Sequence, residues 1–176
     1  EPLDQWINNF TQLENAGWKG DSGTAVACLD DISGFLDQAL SGFDAARRLM
    51  FWKLSLDGKT IATLFGITCG RKAWLIKIAY DESFARYSPG VLLMLDVTRD
   101  LLERDGIDEV DSSAVPDHPM INHLWRDRLA MTDIMIATPG TSRIGFRLMA
   151  AAEDYRRKAR SLAKSAYHRL LKKGSK

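Results

Sequence analysis

With 176 residues, 45% of them hydrophobic and 27% charged, the chain can bury one core of ordinary size and is neither a disordered nor a low-complexity polymer. Its longest apolar runs, such as "VLLML" from Val91, fall far short of the ~20 residues that a membrane-spanning helix needs. The net charge of +1 hides an asymmetry: 13 Lys and Arg against 21 Asp and Glu precede Arg143, and 11 against 2 follow from Arg143 on, so an acidic body carries a basic tail.

The first element is predicted as an amphipathic helix, because Leu3, Trp6, Ile7, Phe10 and Leu13 recur at helical spacing and Gly17 follows as a stop. The helical pattern begins directly at Glu1 without Met or a signal-peptide pattern, which predicts a cytoplasmic location and a piece trimmed from something longer. "GWKGDSGTA" then reads as a loop. Asp30 and Asp31 can cap a second helix, whose apolar face would be Ile32, Phe35, Leu36, Ala39, Leu40 and Phe43. Cys28 and Cys69 lack C-x-x-C or histidine spacing, so they are expected as buried reduced thiols and no metal site is expected.

After Arg48 the period changes. "RLMFWKLSL" is β-rich, Asp57-Gly58 is a two-residue hairpin signal, and "KTIATLFGITCG" continues with β-branched and aromatic residues. A second tight turn at Cys69-Gly70-Arg71 leads into "KAWLIKIAY", which gives three antiparallel strands. The stretch "YDESFARYSPGVLLMLDVTRDLLERDG" supplies a loop and a helix, with Ser88 as N-cap, Pro89 in the first helical position and Gly106 as the stop. "IDEVDSS" reads as a short strand, "HPMINHLWRDR" as a short helix, "LAMTDIMIATP" as a further strand, and Arg143 to about Lys173 as one long helix. Three consecutive strands followed by crossovers predict an α/β (α+β) domain, a mixed and mostly antiparallel sheet flanked by helices. The expected division is a domain over 1–142 and a basic amphipathic helix over 143–176.

This element order, from Leu3 to Pro139, and the strings "GWKG" and "YDESFARYSPGVLLML" resemble the GCN5-related N-acetyltransferase (GNAT) superfamily, in particular its CelD/BcsL-like branch. The resemblance implies an acyl-CoA-dependent transfer, with acetyl-CoA or another acyl-CoA as co-substrate entering a gap between "KAWLIKIAY" and "IDEVDSS". It places the CoA contacts on Ile78 and Tyr80 of the strand and on Arg86, Tyr87, Ser88, Pro89, Gly90 and Val91 at the helix mouth. Physical chemistry favours the same place for a pyrophosphate, since a helix N-terminus presents unpaired N–H groups, Arg86 adds a forked cation, and Gly90 allows close approach. The loop departs from the superfamily's usual Q/R-x-x-G-x-G/A, having one glycine and a proline without an N–H.

Acyl transfer needs a base for the acceptor and donors for the developing oxyanion. Where many GNAT enzymes carry an acidic tyrosine, this chain offers Trp125 or Ile121, neither of which protonates a thiolate. His118 in "PDHPM" and His123 in the following helix are the ionisable candidates, with Asp111 at the end of the short strand. Each has a structural reading as well: His118 as a capping residue before Pro119, His123 on a solvated face, and Asp111 as a cap of the next loop. The resemblance assigns Trp18 and Lys19 to an acceptor, small or polymer-linked.

In the terminal helix, Leu148, Ala152, Tyr155, Ala159, Leu162 and Ala166 form a narrow seam suited to packing on protein, including a second copy of the chain. It lacks the aromatic interleaving or broad apolar face that nucleic acid or a membrane surface would call for. Two other readings stay open from sequence: a non-catalytic GNAT-fold scaffold, and a Fem-like transferase that uses aminoacyl-tRNA.

Overall fold

In a computed structural model of the chain, residues 2–17, 20, 22–23 and 30–173 are described. They divide into two compact units, Glu1–Asp127 and Arg128–Lys176.

In the first unit, helices α1 (Leu3–Ala16) and α2 (Asp30–Ala45) precede strands β1 (Leu49–Leu56), β2 (Lys59–Cys69) and β3 (Lys72–Tyr80). A 3-10 helix (Glu82–Tyr87) leads into α3 (Pro89–Glu103), then β4 (Glu109–Asp111) and the one-turn α4 (Ile121–Leu124). The sheet order is β1-β2-β3-β4, antiparallel except for the parallel β3–β4 pair. Asp57 and Gly58 both take positive φ, 50° and 80°, which is the backbone a type I′ hairpin demands. At the second turn only Gly70, the first central residue, has positive φ.

The sheet is covered on both faces, which is why β2 is buried almost continuously rather than alternately. One face carries α3: Leu93, Met94, Val97 and Leu101 pack on Met50, Ala62, Leu64, Ala73 and Leu75. On the other, Phe10 of α1 and Leu40 of α2 meet Phe65 and Ala79, with Phe10 edge-on to Phe65 and Trp6 stacked on Phe51. Trp52 Nε1 donates to Asp100 at 2.8 Å and Trp125 Nε1 to Thr98 at 3.0 Å, so two indoles fix α3 from either side.

Several expectations are corrected. Phe35 is exposed, because the inward face of α2 runs through Leu36 and Leu40 and Phe35 sits off that stripe. Cys69 is a free and exposed thiol, placed at the last residue of β2 beside the turn; Cys28 lies outside the described residues. Ser88 does precede α3, but with a left-handed backbone (φ 52°) and no side-chain cap bond. α3 ends at Glu103, short of Gly106.

In the second unit, the stretch read as a strand, Leu129 to Pro139, forms neither helix nor strand and has no ladder partner among the described residues. α5 (Arg143–Lys173) is the single long helix expected from sequence. Glu153 receives hydrogen bonds from Arg156 and Arg157, and Arg157 also pairs with Asp133. Leu148, Tyr155 and Leu162 of the predicted seam are exposed. Among the described residues no helix is long and apolar enough to cross a membrane.

Candidate functional site

The site is created by a defect in β3. Phe65 pairs with Lys77 and the next residue, Gly66, with Leu75, so Ile76 is an extra residue bulged out of the ladder. Gly66 is what admits the bulge: a Cβ there would lie 2.7 Å from the carbonyl oxygen of Trp74. Beyond it β3 parts from β4, whose pairing covers only Lys72 to Trp74 against Glu109 to Asp111. Charge holds the paired end closed, with Arg71 on Asp108, and Lys72 2.6 Å from Glu109 and 3.7 Å from Asp111. At the open end the strand edge is left to a cleft.

Two cavities occupy that opening, of about 440 and 320 Å³. Ile78, His118 and Met120 line both. The larger runs between the end of α1 (Leu13, Glu14, Gly17) and the start of α3 (Ser88, Gly90, Val91), past Tyr80. The smaller adds Leu64, Leu75, Lys77 and the loop Ser112 to Val115. Three non-glycine residues with positive φ, Ser88, Ser113 and Asp117, border this region, a strain that well-determined surroundings sustain.

The helix mouth is built from sequence upward. Asp81 caps the 3-10 helix by accepting from Ser83 N and Oγ, and Lys59 binds its other oxygen at 2.7 Å. The Lys59 hydrogen bond, then those from Ser83, hold the Asp81 carboxyl below its ordinary range. That short helix ends by sending Ser88 N–H to Ala85, and Val91 N–H closes on Ser88 O at 2.9 Å. Pro89 has no N–H, so of the donors that begin α3 only Gly90 N–H lacks a backbone partner among the described residues. A Cβ on Gly90 would contact Tyr80 at 3.4 Å and Ile78 at 3.6 Å, so the glycine lets the helix start pack closely on those two cleft residues.

Of the residues anticipated for CoA, Ile78, Tyr80, Ser88, Gly90 and Val91 come together around the cleft. Pro89 is buried directly beneath. Arg86 and Tyr87 are exposed at the rim, where the guanidinium lies 4.5 Å over the Tyr87 ring and bonds its hydroxyl. His118 lines both cavities, and its Nδ1 accepts from the N–H groups of Met120 and Ile121, each at 3.3 Å. His123 is exposed and lines neither. Asp111 accepts from Ser113 N at 2.8 Å and so shapes the loop below the smaller cavity. Trp125 packs on the α3 core and donates to Thr98, and Ile121 is buried and lines the smaller cavity. Trp18 and Lys19 lie outside the described residues.

Sequence reading missed Glu14 and Lys77. The Glu14 side chain is 1% exposed, faces the larger cavity, and accepts from Lys77 Nζ at 2.7 Å. Its signal was present: Glu14 follows Phe10 by four residues, so a charge stands on the apolar face of α1. A carboxylate there is retained only with a partner, and β3 supplies it.

A family profile described as an acetyltransferase (GNAT) domain matches residues 3–118. The chain belongs to the GNAT acetyltransferase family. It is thus an acetyltransferase, and acetyl-CoA is the co-substrate of this family's reaction. The branch within the family is not fixed by that match. No curated protein matches the sequence. Among solved structures the fold is similar to a possible acetyltransferase from Clostridium difficile 630, at 11% identity and a TM-score of 0.56, covering 78% of this chain and 95% of that one. An acetyltransferase from Trypanosoma brucei matches at 10% identity and TM-score 0.49, over 78% and 96% of the two chains. The PaiA N-acetyltransferase from Thermoplasma acidophilum, solved with coenzyme A, matches at 12% identity and TM-score 0.43, over 54% and 65%.

Proposed function

We propose that this acetyltransferase binds acetyl-CoA, or another acyl-CoA, across the gap between β3 and β4 and transfers the acyl group to an amine or hydroxyl of a small or polymer-linked acceptor. The observation that carries the reading is the bulge at Ile76, which parts the two strands beside a helix start whose Gly90 N–H is unpartnered among the described residues. Pyrophosphate would sit at Ser88 to Val91, with Arg86 and Tyr87 at the rim; Arg86 can swing from Tyr87 to phosphate at little cost because both are exposed. Apolar walls from Ile78, Tyr80 and Met120 would exclude water from the thioester. The acceptor enters from the α1 side, where Glu14 and Lys77 supply charge, and Trp18 and Lys19 follow in the chain. No tyrosine acid is used; His118 is the ionisable group at the junction of the cavities. A cytoplasmic setting and pairing of two copies through the α5 seam belong to the same proposal, since Leu148, Tyr155 and Leu162 stand exposed.

Isothermal titration with acetyl-CoA and longer acyl-CoAs tests it. Gly90→Val should weaken binding by about tenfold or more, ~1.4 kcal/mol, because the added branches press on Tyr80 and Ile78 in the cleft. Unchanged affinity in a folded variant removes Gly90 from the site. A wild type that releases no heat with any acyl-CoA fails the reading as a whole.

A further inference from the structure

The backbone assigns the proton of His118. Nδ1 accepts two hydrogen bonds, from Met120 N–H and Ile121 N–H at 3.3 Å each, and thereby caps the turn of α4. A neutral imidazole has one donor and one acceptor nitrogen, so with Nδ1 accepting, the hydrogen resides on Nε2. The ring is half-buried and lines both cavities at the point they share with Ile78 and Met120. We propose that His118 serves acyl transfer as a fixed hydrogen-bond donor through Nε2–H to the thioester, and not as the base that deprotonates the acceptor. This inference deepens the function proposed above and rests on it.

Two exclusions carry the assignment. Nε2 already holds a hydrogen and has no lone pair with which to take the acceptor's proton. Protonating the ring would instead place a hydrogen on Nδ1, opposite two N–H donors, and dissolve the cap. What remains is donation to charge that develops on the thioester oxygen and sulfur, a contribution of the oxyanion-hole kind. In the balanced step the acceptor nitrogen or oxygen bonds to the thioester carbon and the C–S bond breaks with its electron pair on sulfur. The acceptor's proton ends on that sulfur through water. His118 has the same hydrogen count before and after.

The direct test is a long-range 1H–15N correlation on the full chain with labelled histidine near neutral pH, the His118 signals being those lost in His118→Gln. A pyridine-type Nδ1 with a pyrrole-type Nε2 is expected; the opposite tautomer, or an average of the two, overturns the proposal. A second arm follows thiol release from acetyl-CoA with water as acceptor. His118→Asn keeps an acceptor near the position of Nδ1 and loses the donor, so it should lose roughly 100-fold. His118→Gln keeps a donor near Nε2 and should stay within about tenfold of wild type. Equal loss in both variants points to a base, and loss confined to His118→Gln points to a mere cap; either sinks the donor role. If acetyl-CoA does not bind the wild type at all, the acyl-transfer reading fails while the tautomer still reports on the ring.

Discussion

Two stretches of this chain read alike and behave differently. "KAWLIKIAY" and "LAMTDIMIATP" both have the composition of a strand. The first becomes β3, paired with β2 along its length and with β4 over Lys72 to Trp74, and Leu75 and Ala79 are buried on its two faces. The second forms no strand, and Leu129, Met131, Ile134 and Ile136 are all more than half exposed. Side-chain pattern sets a preference for extended backbone, but a strand exists only when a neighbour takes up its N–H and C=O groups.

The sharpest way to break this comparison is to truncate one apolar side chain in each stretch. Leu75 is 4% exposed and Ile134 is 77% exposed. Leu75→Ala should cost about 2–5 kcal/mol in urea unfolding, whereas Ile134→Ala should stay within about 0.5 kcal/mol. An Ile134→Ala loss as large as that of Leu75→Ala would mean the second stretch is packed in solution.

The same contrast marks what was legible. Hairpin turns, the start of α3 and the span of α5 are local, set by Asp57-Gly58, by Pro89 after Ser88 and by an unbroken helical run, and the sequence shows them. The family resemblance located the cleft wall at Ile78, Tyr80 and Gly90. It did not reveal that Val91 and Ser88 consume their own N–H groups, nor that Glu14 meets Lys77 across 63 residues. Those depend on distant backbone arriving at one place. The bulge at Ile76 is equally nonlocal, since its cause is the missing side chain of Gly66 on the neighbouring strand.

A second test sharpens the comparison from the exposed side. If the α5 seam pairs two copies, stopping the chain after Ser142 should convert a dimer to a monomer in light scattering. Loss of solubility without a change of state would show that the helix shields apolar surface of its own chain. An unchanged soluble monomer that loses affinity for RNA or anionic vesicles would replace the pairing reading with a surface-binding one.

The smallest effect expected is a pH response confined to α5. Hydrogen bonds from Arg156, then Arg157, hold the Glu153 carboxyl down from its ordinary 4.5 to about 2. Because the folded value is depressed, the contribution to helix stability is complete above pH ~4.5 and is lost as pH falls toward about 2. Both arginines remain charged throughout, so only the carboxylate titrates. The carboxylate is partly buried beneath more exposed arginines and the pairs are three and four residues apart, which makes the helix itself their scaffold. Far-ultraviolet ellipticity of wild type and Glu153→Gln, compared between pH 5 and pH 2, should therefore differ at the upper end and converge at the lower, by a small amount that added salt reduces. Helicity that falls in parallel in the two proteins would assign the acid response to other carboxylates and leave Glu153 without a measurable share.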